Sequence, residues 1–341
     1  MMRIALRTPN WLGDAVMALP AIAAFRRAFE ADEVTLAGPA SVMTIFNELH
    51  DAQPARTMGL AGGAGRAAVD ALRAGGFDRI VIFTNSFGSA WVAKRAGIRE
   101  RWGYGGRGRG LLLTRAARRP SKSERPHHAD FYRTLARRLD AGEGVEAPPR
   151  LTARPETQAR GAEALRKAGV DVDRPLVVFA PGAAYGHAKR WLPSHVAEVA
   201  ARLVRERGAA AVLEGAPADR DTGRAIESWL RAHAPAEAGR VVNMIGRADV
   251  RGLIGTLAHA SLVIANDSGA AHLSAAMGVP TITIFGPTDE RVSAPIGPGA
   301  ALSHDVFCRP CMLRDCPIDH RCMKRITAGT VFARAEALLQ A

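Results

Sequence analysis

Leu262-Val263-Ile264-Ala265-Asn266-Asp267-Ser268-Gly269-Ala270-Ala271-His272 passes from an unbroken apolar run, through a short polar turn, into a second run of small and apolar residues. A run of consecutive Val, Ile and Leu is what a strand covered on both faces looks like, and such strands belong to parallel sheets. The turn ends that strand, and Asp267 or Ser268 is suited to cap a helix starting at Gly269. Free N–H groups at a helix start bind phosphate, and Gly269 lets an anion come close to the backbone. Taken alone, the stretch reads equally well as a plain capped turn.

Its neighbours follow the same plan. Strands are expected at Leu176–Ala180, Ala209–Leu213, Val241–Met244 and Thr281–Phe285, with helices near His195–Glu206, Arg220–His233, Arg251–His259 and Gly269–Met277. Parallel sheets place ligands at the carboxyl ends of their strands. Several such ends carry useful chemistry. Gly182 opens a glycine-containing loop that turns cationic at Lys189 and Arg190, where charge can neutralise a diphosphate. Glu214 ends the next strand and is placed to accept bonds from ribose hydroxyls, and Met244 offers an apolar contact to a base. A cation, an acid, an apolar contact and an anion nest form the inventory of a nucleotide-diphosphate site.

An earlier half repeats the alternation. Arg3–Arg7, Val34–Ala37 and Arg79–Phe83 read as strands, and a helix is expected from about Asp14 to Phe29. The region from Asp140 to Arg154, rich in Gly and Pro, closes this half. The chain's 341 residues suit two domains. The fold class is therefore α/β, with a parallel sheet and crossover helices in each half. Neither half has GxGxxG after its first strand, and GxxxxGK[ST] does not occur, which disfavours a nicotinamide dehydrogenase or a P-loop kinase.

No uncharged apolar run reaches about 18 residues, so a membrane span is not expected. The N-terminus resembles a signal peptide only superficially. Asp14 interrupts the approach to the apolar run, and Arg26-Arg27 stand where small cleavage-site residues would be needed, so a mature, cytoplasmic protein is expected. The net charge of +13 points to anionic partners. Between Lys94 and Arg125 eleven Lys or Arg face two Glu, with glycines interspersed. This stretch reads either as a solvated, partly mobile loop or as a basic surface for a multiply charged anion. With only Trp102 and Tyr104 available for stacking, nucleic acid is not the expected partner. Asp14 closes the loop Pro9–Gly13; it is either a helix-start residue favoured by the dipole or a general base for an attacking hydroxyl.

Pro9-Asn10-Trp11-Leu12-Gly13-Asp14-Ala15-Val16, Ala188-Lys189-Arg190-Trp191, Asn266-Asp267-Ser268-Gly269 and Phe285-Gly286-Pro287-Thr288 together resemble the ADP-heptose:lipopolysaccharide heptosyltransferases, glycosyltransferase family 9. Cys308-Arg309-Pro310-Cys311 and Cys316–Met323 favour the branch acting second in that pathway. The likeness runs in order from residue 7 to 323.

It implies two Rossmann-like domains facing across a cleft, the GT-B architecture. They would be an acceptor-side domain at 1–160 and a nucleotide-sugar domain at 161–328, with a final helix at 329–341 packing back on the first. It further implies inverting transfer of L-glycero-D-manno-heptose from ADP-heptose to a heptose of the phosphorylated lipid A–core. No cofactor would be needed for catalysis. The enzyme would work in the cytoplasm, peripheral at the cytoplasmic face of the inner membrane.

By motif, Asp14 and Lys189 correspond to catalytic positions. Gly182, Lys189, Arg190, Glu214, Met244, Asp267, Ser268, Gly269 and His272 are the expected donor-binding set. Asn10, Trp11, Gly13, Arg107 and Arg109 are the expected acceptor-binding set. The sequence departs from the family pattern at Ala184, His187, Leu192 and Ala270-Ala271, which bear on the shape of the sugar pocket.

Cys308, Cys311, Cys316 and Cys322 are the only cysteines, spaced C-x2-C-x4-C-x5-C. They are candidate ligands for a structural zinc, with His320 as a substitute, or a compact loop of free thiols. A sugar-nucleotide epimerase or hydrolase is the rival reaction class, and a nucleic-acid binder built on charge and cysteines the rival without catalysis.

Overall fold

The computed structural model describes residues 1–50, 56–61, 65–106, 108–121 and 123–340, with backbone alone at 49 and 50. The chain divides into two units, Met1–Pro149 and Arg150–Ala341. The first unit holds a six-stranded sheet of β1 (Arg3–Arg7), β2 (Glu33–Gly38), β3 (Arg56–Gly59), β4 (Arg79–Ile82), β5 (Glu100–Tyr104) and β6 (Arg115–Ala117). Their spatial order is β3-β2-β1-β4-β5-β6, parallel throughout. The second unit contains β7 (Leu176–Ala180), β8 (Ala210–Leu213), β9 (Val241–Asn243), β10 (Leu262–Asn266), β11 (Thr281–Phe285) and β12 (Gly299–Ser303). Their order is β9-β8-β7-β10-β11-β12, again all parallel.

Both sheets thus share one Rossmann-type order, and the strand order reverses its progression between β1 and β4 in one unit and between β7 and β10 in the other. These are the switch points where α/β sheets open a crevice for ligands. All five residues of β7, β10 and β11 are buried, so helices cover both faces, as the continuous apolar runs required.

Several local features differ from expectation. The single helix expected from Asp14 to Phe29 is two, Leu12–Met17 and Leu19–Ala28. Pro20, in the first turn of the second, has no N–H with which to continue the first. The basic, glycine-rich stretch is not simply a loop, because it supplies β5 and β6. Trp102 of β5 makes this possible: the Arg79 guanidinium lies 4.0 Å from its ring centre and that of Arg115 4.8 Å, so cations cover the apolar surface of the sheet edge.

The unit boundary falls ahead of residue 160. Helix Pro155–Lys167 packs on helix Val250–Leu257 of the second unit, so closely that a methyl group at Gly161 would meet the Gly255 carbonyl oxygen at 2.2 Å. The C-terminal helix, Ala328–Leu339, packs on helix Pro193–Arg207 and along β10, β11 and β12. Its buried face, Val331, Phe332 and Ala335, joins the core around Trp191 and Val196, and Arg202 stacks 3.7 Å over the Phe332 ring. Among the described residues, no helix is long and apolar enough to cross a membrane.

Candidate active site

At the carboxyl end of β10, Asn266 is buried and joins two strand ends. Its Nδ2 donates to the Pro181 carbonyl at 2.7 Å, and its Oδ1 accepts from the Trp191 backbone N–H at 3.0 Å. The loop after β7 is therefore held at both ends against β10, which brings Lys189 to the helix start. Lys189 Nζ donates to Asp267 Oδ2 at 2.6 Å and lies 4.9 Å from the Tyr185 ring centre. Thr288 Oγ1 donates to the same carboxylate oxygen at 2.7 Å, and His272 Nε2 lies 3.9 Å from Oδ1.

Asp267 is buried and its charge is committed to these neighbours. It holds Lys189 at the start of the helix. Ser268 occupies the cap position of helix Gly269–Ala276 without a side-chain cap bond. The first-turn N–H groups of that helix are thus left to a ligand or water, beside a fixed lysine.

Arg190 points elsewhere. Its Nη2 donates to Asp219 Oδ1 at 2.9 Å, and Asp219 Oδ2 accepts from the Ala216 N–H. Gly182 sits against this carboxylate, since a methyl there would lie 2.2 Å from Asp219 Oδ2. Asp219, which no sequence motif singled out, thus contacts both Arg190 and the Gly182 backbone.

Glu214 at the end of β8 is almost wholly buried and accepts from Thr256 Oγ1 at 2.9 Å. Burial pushes its carboxyl up to about 7, against the bonds from Thr256 and the Gly215 N–H. Met244 is buried too, its N–H donating to the Leu213 carbonyl.

The four cysteines are free, from exposed Cys311 to buried Cys322. Among the described residues no three His, Cys, Asp or Glu are grouped to hold a metal ion. The segment braces the lysine loop. Ala188 N–H donates to the Arg314 carbonyl at 2.8 Å, the Ala188 carbonyl meets His320 Nε2 at 2.7 Å, and Tyr185 Oη donates to the Met312 carbonyl at 2.7 Å. Arg309 donates to the Gly286 and Thr288 carbonyls, tying the loop after β11 into the same brace.

In the first unit, Asp14 lies on helix Leu12–Met17 beyond β1, its side chain partly exposed. Tyr132 Oη donates to Asp14 Oδ1 at 3.2 Å, and His128 Nδ1 lies 3.9 Å away. Burial first, then the Asp14 charge, hold the Tyr132 phenol well above its usual range, so it remains a donor. Asn10 is exposed and accepts from Arg7 Nη2 at 2.9 Å; Trp11 is exposed and Gly13 buried.

Arg109 stands on a short helical turn, Arg109–Leu112, and is 2% exposed; its Nη1 donates to the Thr84 carbonyl at 2.6 Å. Arg107 lies outside the described residues. Tyr132, Thr256 and Thr288 escaped sequence reasoning because each acts through a partner distant in the chain. Only Thr288, within the quoted Phe285–Thr288 motif, carried a signal.

The model of the family described as glycosyltransferase family 9 (heptosyltransferase) matches residues 66–321. Lipooligosaccharide heptosyltransferase 2 of Haemophilus influenzae is 28% identical over 312 residues, 88% of each chain. Lipopolysaccharide heptosyltransferase 2 of Escherichia coli is 28% identical over 303 residues, 86% of each chain. The solved structure of E. coli ADP-heptose LPS heptosyltransferase II superposes with a TM-score of 0.79 at 24% identity, covering 99% of both chains.

Proposed function

The chain belongs to glycosyltransferase family 9, and on that premise we propose that it transfers L-glycero-D-manno-heptose from ADP-heptose, with inversion, to a heptose of the phosphorylated lipid A–core. One observation carries this reading: an open helix start at Ser268-Gly269 with Lys189 fixed beside it by Asp267 and Thr288. That arrangement suits a leaving diphosphate, whose charge grows as the glycosidic bond breaks. Preorganised N–H groups and a fixed ammonium stabilise that charge with little rearrangement. Glu214, near the same strand ends, accepts from the donor's ribose hydroxyls. Asp14 takes the proton of the attacking acceptor hydroxyl, and the Tyr132 hydroxyl holds the carboxylate in one orientation.

The reading puts the enzyme in the cytoplasm, peripheral on the inner membrane. Its support is the set of exposed apolar side chains Trp11, Phe87, Trp91 and Leu111 in a unit rich in arginine. Phe87 and Trp91 stack on one helix, with Arg95 5.9 Å from the Trp91 ring.

The test is transfer from ADP-heptose to a defined core acceptor by native protein and by Asp14→Asn. The variant should lose on the order of a thousandfold in kcat while its KM for the donor holds. Near-native turnover by Asp14→Asn would remove the mechanism.

A further inference from the structure

The guanidinium of Arg109 is buried at the carboxyl ends of β4 and β5. On one side Nη1 is pinned to the Thr84 carbonyl. On the other, Nη2 lies over Gly103 of β5, where a methyl group would sit 3.3 Å from it, so glycine makes room for the charge. Nε and Nη2 are both buried and without a hydrogen-bond partner among the described residues. These two atoms form one edge of the guanidinium, with parallel N–H bonds that match a carboxylate or phosphate in bidentate fashion.

Thr84 Oγ1 and Asn85 Oδ1, on the segment that carries the pinning carbonyl, are likewise buried and unpartnered. Among the described residues no acid lies within ion-pair distance of Arg109, and the nearby Arg119 adds a charge of the same sign. A buried cation with an unused bidentate edge and no counter-ion is costly to the free protein, and that cost is recovered when an anion binds.

We propose that the Nε–Nη2 edge of Arg109, with Thr84 Oγ1 and Asn85 Oδ1, is a subsite for a single oxyanion of the acceptor saccharide, carboxylate or phosphate monoester. The threonine hydroxyl donates to the same anion, and the Asn85 carbonyl oxygen accepts from a neighbouring saccharide hydroxyl. The subsite rests on the acceptor reading given above, but its anion chemistry can be read without any transfer.

Thermal melting of the whole protein, with ADP present to fill donor-side phosphate contacts, should rise saturably with added inorganic phosphate or acetate at fixed ionic strength. The more effective anion identifies the group. Arg109→Met should lack that rise, and Arg109→Lys should retain a weaker one. Equal stabilisation of native protein and Arg109→Met by both anions would overturn the subsite.

In transfer assays Arg109→Met should raise the KM for acceptor on the order of ten- to a hundredfold, with the donor KM within about twofold. Removing the acceptor's phosphate, or reducing its carboxyl, should cost native enzyme a similar factor in one arm only and leave Arg109→Met indifferent. A variant still sensitive to the same removal would also overturn the proposal. If native protein transfers no heptose to any acceptor, the heptosyl-transfer reading fails, while the melting comparison still decides the subsite.

Discussion

The two switch points have the same strand order and treat buried charge in opposite ways. In the second unit Lys189 is paired with Asp267 at 2.6 Å and Arg190 with Asp219 at 2.9 Å, inside networks that also employ Thr288, Asn266 and backbone N–H groups. In the first unit Arg7 and Arg109 are buried without an acidic partner among the described residues, and burial lowers each guanidinium to about 10. Arg7 is satisfied by the Thr8 and Ala37 carbonyls and Asn10; Arg109 keeps an edge unused.

The contrast separates two ways of building a charged site. A paired cation is held in one position at modest cost, which suits the fixed electrostatics of a leaving group. An unpaired one leaves its desolvation uncompensated until a ligand arrives, which suits recognition of an anionic partner.

Three substitutions test this contrast in decreasing order of effect. Asp267→Asn would turn the paired site into an unpaired one by leaving Lys189 half in the protein without its counter-ion. Denaturant unfolding should then show a loss of about 3 kcal/mol, together with weakened ADP binding. An unchanged midpoint would mean that the pair contributes little and that Lys189 is free to reach water.

Glu214 is the exception within the second unit, a buried acid without a cation beside it among the described residues. Because its folded-state pKa is raised above its ordinary value, the native state holds its proton more tightly than the unfolded chain does. This contribution to stability is full below about pH 4.5 and is lost as pH rises towards 7. Glu214→Gln should therefore gain about 3 kcal/mol at pH 8, nothing near pH 4, and lose affinity for ADP. A flat stability difference across that range would show that the site is wet enough to ionise at its ordinary pKa.

Tyr132→Phe removes the donor to Asp14 with little change of shape. It should cost about 1 kcal/mol in stability and lower kcat more than either KM. If only stability moved, Tyr132 would be a packing residue and not a positioning one.

The apolar runs of β7, β10 and β11 were legible because a strand covered on both faces has to be continuously apolar, whatever surrounds it. The Asn266–Gly269 corner was legible for a similar reason: a strand ending in small polar residues before a helix has few other conformations. The strands β5 and β6 were not legible. Their arginines and glycines have poor strand propensity, and it is the stacking of Arg79 and Arg115 on Trp102 that makes them sheet.

The spacing of the cysteines specifies a possible ligand set and not the path of the backbone. Here that path braces Ala188 and Tyr185 through main-chain carbonyls of 312 and 314, which a residue of any type would supply.

By itself the sequence determined the class of fold, its repetition in two halves, the positions of Asp14, Lys189 and Glu214 at strand ends, and the likeness to one family. These follow from local periodicity and from residues adjacent in the chain. Tertiary structure alone decided which charges are paired. Asp267 meets Lys189 across 78 positions and Tyr132 meets Asp14 across 118, whereas Arg109 meets no acid among the described residues. Pairing depends on which strand ends the sheet brings together, and the cost of burying a charge is set by that neighbourhood and not by the residue's own identity.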